Sequence, residues 1–207
     1  MHKQFFLTGI GTGVGKTISS AFLLKLWDAA YWKPVQSGDL QSSDTQCVKD
    51  LLGNHLQVFP EQYSLQKAAS PHESAAEEGI KIDLEAFKLP NYEGNLLVEG
   101  AGGLFVPLSE DLFILDLMKR LNLPIVLVCR DYLGCINHSL LSIKAIQHAG
   151  LELSFLVFNG PFNPASERII RQQIPTSTKL IYLPELEQLT ADELTKAMPF
   201  IRIEELD

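Results

Sequence analysis

The sequence predicts an α/β fold in three layers, with a mostly parallel central sheet and helices on both faces. Two observations support it: continuous apolar runs, typical of strands buried on both faces, and helical patterns between them. The clear strands are Phe5 to Leu7, Leu96 to Val98, Ile125 to Cys129, Phe155 to Phe158 and Leu180 to Leu183, with Tyr31 to Val35 as a weaker sixth. The predicted helices are Lys16 to Ala29, Asp44 to Leu52, Leu112 to Leu121, Asn137 to Ala149 and Ala165 to Gln173.

A third observation narrows the fold class. A glycine-rich loop, Thr8 to Thr17, joins the first strand to the first helix. Such a loop leaves several backbone N–H groups unpaired at a helix N-terminus, where phosphate oxygens can accept from them. Lys16 adds a positive charge, and the Thr17 hydroxyl can bind magnesium. The loop therefore predicts a P-loop NTPase-like domain, and the alternative is a glycine-rich turn without a ligand.

The loop departs from the usual sequence pattern of this motif, because Ile10 stands where the first glycine is expected and Gly9 lies one residue upstream.

The sequence also marks the starts of two later helices. Ser70 to Glu73 combines a capping box with proline at the first helical position, and Thr190 to Glu193 repeats the box. The irregular stretch from Gly53 to Pro90 is interpreted as an excursion that lines a site.

Composition limits the possible functions. The chain has 207 residues and a formal net charge of -8, which predicts one domain over residues 1–207 and argues against nucleic acid or an anionic membrane as partner. The three cysteines lack the spacing of a zinc site or a disulfide framework. With no secretion signal and no apolar run near the roughly 18 residues of a spanning helix, we expect a cytoplasmic protein.

Most conspicuous polar residues follow the C-terminal ends of predicted strands, which in a parallel sheet lie along one edge. Lys33, Ser37 and Asp44 cluster at and after the end of the second strand, Glu99 follows the third and Asn159 the fifth. Asn159 could be a turn residue or an adenine contact. His138 is interpreted as a packed or helix-surface histidine, and His72 has no assigned role. Ligands of doubly wound folds bind along this edge.

Thr17, Asp44 and Glu99 match the oxygen ligands that magnesium prefers. Each carboxylate also has a structural interpretation, since Asp44 could cap the following helix and Glu99 could be a turn carboxylate. Lys33 could be a surface lysine, but it precedes Pro34 in a turn at the ligand edge. There, a second ammonium beside Lys16 would stabilise a transferring phosphoryl group.

These residues resemble a specific family, the dethiobiotin synthetases, which close the ureido ring in biotin biosynthesis. The resemblance covers roughly the first two-thirds of the chain and is weakest in the last third. It is carried by Phe6 to Gly9, Gly15 to Thr17, Lys33 to Gly38, Ser70 to His72, Val98 to Gly103 and Leu133 to His138.

The resemblance implies a homodimeric cyclo-ligase that converts 7,8-diaminononanoate, CO2 and MgATP to dethiobiotin, ADP and phosphate through a carbamate and a carbamic-phosphoric anhydride. Lys33 and Lys16 would be catalytic, and Thr17, Asp44 and Glu99 would hold Mg2+. ATP would contact Thr12, Gly13, Val14, Gly15, Lys16, Thr17, Ile18, Asp44, Glu99, Gly100, Ala101, Gly102, Asn159, Leu183, Pro184 and Glu185. The diamine would contact Ser37, and its carboxylate end would contact Gly134, Cys135, Ile136 and Asn137 of the other subunit.

The sequence departs from the family pattern in two places. Gly11 stands where many members carry Asp, and the connection from Asp28 to Tyr31 is several residues shorter than usual. Two alternatives stay open: a related P-loop ligase of the cobyrinate type, and a partitioning ATPase switch. Such switches usually carry an additional lysine early in the loop, and residues 9–14 contain none.

Overall fold

The computed structural model describes residues 3–53 and 55–206. Its central feature is an eight-stranded sheet of order β10-β9-β8-β7-β1-β6-β2-β4, in which only the edge strand β10 runs antiparallel to its neighbour. A separate parallel pair joins β3 to β5. The strands are β1 Gln4–Gly9, β2 Ala29–Trp32, β3 Val35–Ser37, β4 Val58–Phe59, β5 Tyr63–Leu65, β6 Asn95–Gly103, β7 Ile125–Cys129, β8 Leu153–Asn159, β9 Lys179–Leu183 and β10 Arg202–Glu204.

Within the described residues, seven α-helices connect and cover the strands. They are α1 Lys16–Trp27, α2 Asp44–Leu52, α3 Pro71–Glu77, α4 Ile114–Leu121, α5 Cys135–His148, α6 Pro164–Arg171 and α7 Ala191–Ala197. Helix α1 packs on α2, which packs on α7, while α5 packs on α6. The connections after β1 and after β6 run in opposite directions along the sheet. Because both are right-handed crossovers, the group of α1, α2 and α7 lies on one face of the sheet, and the pair of α5 and α6 lies on the other. The predicted three-layer α/β architecture is confirmed.

The core lies on both faces of the sheet. All five residues of β7 are buried, and the prediction for this strand holds residue for residue. Strands β1, β6, β8 and β9 extend beyond their predicted apolar runs, because backbone pairing continues past one or both ends of each run. Among the described residues, none of the helices is long and apolar enough to cross a membrane.

The predicted second strand, Tyr31 to Val35, is wrong in its bounds. Strand β2 starts at Ala29 and stops at Trp32, directly before Lys33 and Pro34. Proline has no N–H for a ladder, and its carbonyl oxygen accepts from Gln62 N at 2.9 Å instead. The chain resumes as β3, which pairs with β5 outside the main sheet. The break places Lys33 at the ligand edge.

The bounds of four helices also differ from prediction. Helix α1 ends at Trp27, because Asp28 adopts a left-handed conformation with φ 48°. Helix α4 begins at Ile114, since the Leu112 carbonyl oxygen is held in a turn by Leu108 N at 2.7 Å. Helix α5 begins two residues early, at Cys135, and α6 runs from Pro164 to Arg171.

The capping box predicted at Ser70 is absent. The Ser70 side chain makes no capping hydrogen bond; its Oγ lies 2.8 Å from His72 Nδ1, and Glu73 pairs with Lys67. Pro71 is at the start of the helix, as predicted. At the second site Thr190 does cap α7 by accepting from Glu193 N. The carboxylate of Glu193 accepts from the backbone of the preceding loop rather than from Thr190.

Candidate functional site

The glycine-rich loop wraps around the N-terminus of α1. Gly13 and Gly15 have φ of 75° and 84°, a left-handed region that glycine adopts without strain. A Cβ at Gly15 would lie 2.1 Å from Asn159 Nδ2, and that amide donates to the Val14 carbonyl oxygen at 2.9 Å. Lys16 Nζ donates to the Gly11 carbonyl oxygen at 3.1 Å. Asn159, at the end of β8, therefore braces the loop from behind.

A cavity of about 750 Å³ opens in front of this loop. Its walls contain most of the predicted phosphate-loop residues together with Lys33, Ser37 and Asp44. The predicted residues that line it are Thr12, Gly13, Gly15, Lys16, Thr17, Ile18, Lys33, Ser37, Asp44, Ala101 and Gly102. The structure thus brings the loop, the turn after β2 and the end of β6 to one hollow, at the carboxyl edge of the sheet.

Lys33 occupies the centre of a charged cluster. Its Nζ lies 2.6 Å from Asp44 Oδ2 and 3.2 Å from Glu99 Oε1, and Thr17 Oγ1 donates to the other oxygen of Asp44. Lys33 is only 3% exposed and Glu99 is fully buried, whereas the Asp44 side chain is 33% exposed, so the three-charge network runs from the interior of the fold to the cavity wall. The interpretation of Lys33 as a surface lysine is wrong.

The charges of the cluster shift one another's protonation. Burial opposes the charged form of Lys33, but the carboxylates of Glu99 and Asp44 outweigh it and hold the pKa of Lys33 above its usual value. Burial likewise opposes the Asp44 carboxylate, but the Lys33 ammonium holds the pKa of Asp44 below its usual value. For Lys16, burial dominates and lowers the pKa. Lys33 and Asp44 are therefore both charged at neutral pH.

The structure supports neither of the two structural interpretations of the carboxylates. Ser43, not Asp44, is the N-cap of α2, because its side chain accepts from Gln46 N. The Asp44 carboxylate is thereby left for Lys33 and Thr17. Glu99 is no turn residue, since β6 continues to Gly103, and its Oε2 accepts from Ser20 and Tyr31.

Several predicted contact residues lie outside the main cavity. Leu183, Pro184 and Glu185 border a separate hollow of about 310 Å³ beside Gly160. Glu185 forms an ion pair with Arg130 there. The segment from Gly134 to Asn137, at the start of α5, is absent from the residues lining this chain's cavity. It follows Leu133, whose side chain is fully exposed.

The cavity also has wall residues that the sequence analysis did not single out, namely Gln36, Asp39, Cys47 and Leu189. Ala68 to Pro71 line the cavity as well, and they belong to the irregular stretch after Gly53 that was predicted to line a site. Ser37 Oγ donates to the Lys67 carbonyl oxygen at 3.2 Å, which joins the two walls. Leu189 has no sequence signal, because only the fold of the loop before α7 brings it here.

Known proteins resemble this chain in sequence and in fold. Residues 3–193 match a family described as an AAA domain. Over 95% of its length the chain is 44% identical to an ATP-dependent dethiobiotin synthetase of Rhodopseudomonas palustris, covering 92% of that protein. It is 41% identical to an ATP-dependent dethiobiotin synthetase of Cytophaga hutchinsonii, over 93% of this chain and 94% of that one.

Solved structures agree on the fold. A ParA family ATPase of Chlorobium tepidum superposes with a TM-score of 0.52 at 15% identity, over 96% of this chain and 91% of that one. The septum site-determining protein MinD of Pyrococcus horikoshii, solved with Mg-ADP, gives 0.54 at 14% identity, over 96% and 90%. At such identities the likeness concerns the fold alone.

The fold and the phosphate loop together define a nucleotide-binding protein of the P-loop class. Within this class, the sequence relatives decide the family. The chain belongs to the ATP-dependent dethiobiotin synthetase family.

Proposed function

We propose that the protein closes a ureido ring, converting 7,8-diaminononanoate, CO2 and MgATP to dethiobiotin, ADP and phosphate. One observation carries the proposal: two lysines, Lys16 and Lys33, line the same cavity as the phosphate loop and Ser37. A cavity of about 750 Å³ has room for a triphosphate tail and a second substrate side by side. An enzyme that joins a carbamate to a phosphoryl group needs both ligands in contact.

The loop residues would hold the β- and γ-phosphates through backbone N–H groups at the start of α1. Lys16 would exchange its hydrogen bond to Gly11 for phosphate oxygens. Lys33 would neutralise the carbamate oxygen that attacks the γ-phosphorus and the charge that develops on the phosphoryl group. Both ammonium groups favour the same step, because the attacking group and its target are both anions.

Magnesium fits the side chains at the foot of the cavity. This ion takes hard oxygen ligands and needs only one or two carboxylates when phosphates complete its shell. Thr17 Oγ1 and Asp44 are already in contact, and Glu99 is joined to Asp44 through Lys33. We propose that Thr17, Asp44 and Glu99 hold Mg2+ once Lys33 turns toward the carbamate. Bound there, the ion would supply charge neutralisation to the phosphates.

The second half of the reaction needs the free amine of the diamine close to the carbamate carbon. Ser37, on the cavity wall, would accept a hydrogen bond from the diamine. The carboxylate end of the substrate would reach the N-terminus of α5, Gly134 to Asn137, in a second copy of the chain.

Asn159, Gly100 and the segment from Leu183 to Glu185 would lie near the nucleotide, with the adenine beside Gly160. The dimer and the cytoplasmic location stay predictions.

A product assay tests the proposal. Purified protein with MgATP, bicarbonate and the diamine should form dethiobiotin, detected by mass spectrometry, and release one phosphate for each molecule formed. Omission of either the diamine or bicarbonate should abolish phosphate release, because the carbamate, and not water, attacks the γ-phosphorus in the proposed reaction. Equal ATP hydrolysis without the diamine would instead favour a switch ATPase.

A further inference from the structure

Glu99 is held from the side opposite the cavity. Its Oε2 accepts from Ser20 Oγ of α1 and from the Tyr31 hydroxyl at 3.0 Å, while its Oε1 lies 3.2 Å from Lys33 Nζ. Ser20, Tyr31 and Glu99 are all completely buried. Each oxygen of the carboxylate therefore has its own partners, and the two sides of the group are distinguished.

The parallel register brings Tyr31 to Glu99. Tyr31 of β2 pairs with Leu97 of β6, and Glu99 lies two residues further along the same face. Such diagonal neighbours are about 7–8 Å apart at the backbone, a span that a tyrosine side chain covers. Helix α1 packs over β6 and adds Ser20 to the same oxygen. Two separate elements thus converge on one carboxylate oxygen.

The Tyr31 hydroxyl is a donor to Glu99. Its acceptor is a carboxylate oxygen at 3.0 Å, which offers lone pairs to the phenolic O–H. For the hydroxyl, the structure provides no other hydrogen-bond partner than Glu99 among the described residues. Because the phenol and its single acceptor are both buried, their hydrogen bond restricts the rotation of both side chains.

We propose that Tyr31 and Ser20 are positioning residues, which hold Glu99 Oε2 inward so that Oε1 alone faces the cation site. The inference rests on the magnesium part of the proposed function. Partners of this kind commonly change metal affinity about 10-fold to 100-fold when they are removed. Without them the carboxylate is free to rotate, and each metal-binding event must order it again.

The test uses Tyr31→Phe and Ser20→Ala, with Ser19→Ala as the matched control. Ser19 neighbours Ser20 on α1, is equally buried, and its hydroxyl has no hydrogen-bond partner in the described part of the chain. Magnesium is titrated calorimetrically into each variant saturated with a non-hydrolysable ATP analogue. We expect about 10-fold weaker Mg2+ binding in both test variants and wild-type binding in the control. Analogue affinity in EDTA should not change in any of them.

Wild-type magnesium affinity in folded Tyr31→Phe and Ser20→Ala would overturn the inference. So would an equal loss of analogue affinity in EDTA, because that loss would indicate a damaged phosphate loop rather than a displaced carboxylate. The titration uses no diamine. A protein that shows the magnesium shift but makes no dethiobiotin would therefore disprove the proposed reaction and keep the positioning role.

Discussion

Single residues in this protein have roles that depend on their neighbours. Lys33 lies between two carboxylates, where it balances charges that would otherwise repel each other inside the fold. Sequence position predicted that Lys16, Lys33 and Glu99 lie along one edge, because all follow strand ends. Tyr31 and Ser20 were not predicted, since their contact with Glu99 depends on the register of β2 and on how α1 packs.

Replacement of Lys33 by methionine should show how much its charge contributes to the stability of the fold. Lys33→Met leaves Asp44 and Glu99 without their cation, so the free energy of unfolding in magnesium-free buffer should fall by about 3 kcal/mol. Added Mg2+ should restore part of the loss, as measured by urea denaturation with and without the ion. Turnover should fall about 100-fold or more.

The control for this variant is Lys25→Met, on the exposed part of α1, where the ammonium donates a hydrogen bond to Thr195 Oγ1. Its stability should stay within about 0.5 kcal/mol of wild type. If Lys33→Met were as stable as this control, with or without magnesium, the three-charge cluster would have no energetic role.

Secondary-structure elements were predictable where a local pattern decides them. The buried run of β7 and the start of α1 at Lys16 follow from apolar residues and from the Gly-Lys-Thr sequence. Strands β4 and β10 were missed because they are short, partly exposed edge strands. The pairing of β3 with β5 depends on residues about 30 positions apart, a contact that local periodicity does not report.

At the scale of the phosphate loop, two glycines with similar positive φ angles, 75° for Gly13 and 84° for Gly15, should respond differently to replacement by alanine. A Cβ at Gly15 would meet Asn159 Nδ2 at 2.1 Å, whereas a Cβ at Gly13 has open space around it. Gly13→Ala should lower stability by about 1 kcal/mol through backbone strain alone. Gly15→Ala should cost clearly more, because the brace from Asn159 must move as well.

Thermal or urea unfolding without nucleotide measures this difference, since no phosphate then occupies the loop. Equal losses in the two variants would show that Asn159 does not brace the loop. A larger loss in Gly13→Ala would contradict the assigned backbone geometry.

The whole molecule presents exposed apolar side chains beside the segment proposed to serve the other subunit. Leu133 directly precedes this segment and is fully exposed, and Leu141, further along α5, is more than half exposed. Burial of such side chains against a partner would remove apolar surface from water. The exposure agrees with the dimer that the family resemblance implies.

Leu133→Asp should therefore shift the protein from dimer to monomer in sedimentation velocity, because a buried charge at an interface costs several kcal/mol. The monomer has a mass of 23.0 kDa. Leu26→Asp, on α1 and away from this surface, is a control of the same chemistry and should leave the sedimentation coefficient unchanged. A wild-type protein that sediments as a monomer at every concentration would disprove the shared site.

The central claim is that a carbamate meets the γ-phosphate in the cavity that Lys16 and Lys33 line. Oxygen-labelled bicarbonate tests it most directly, in a short reaction that ends before the label exchanges with water. If a carbamate oxygen attacks phosphorus and leaves with it at ring closure, each released phosphate carries one labelled oxygen. Phosphate without label, released alongside dethiobiotin, would contradict this account.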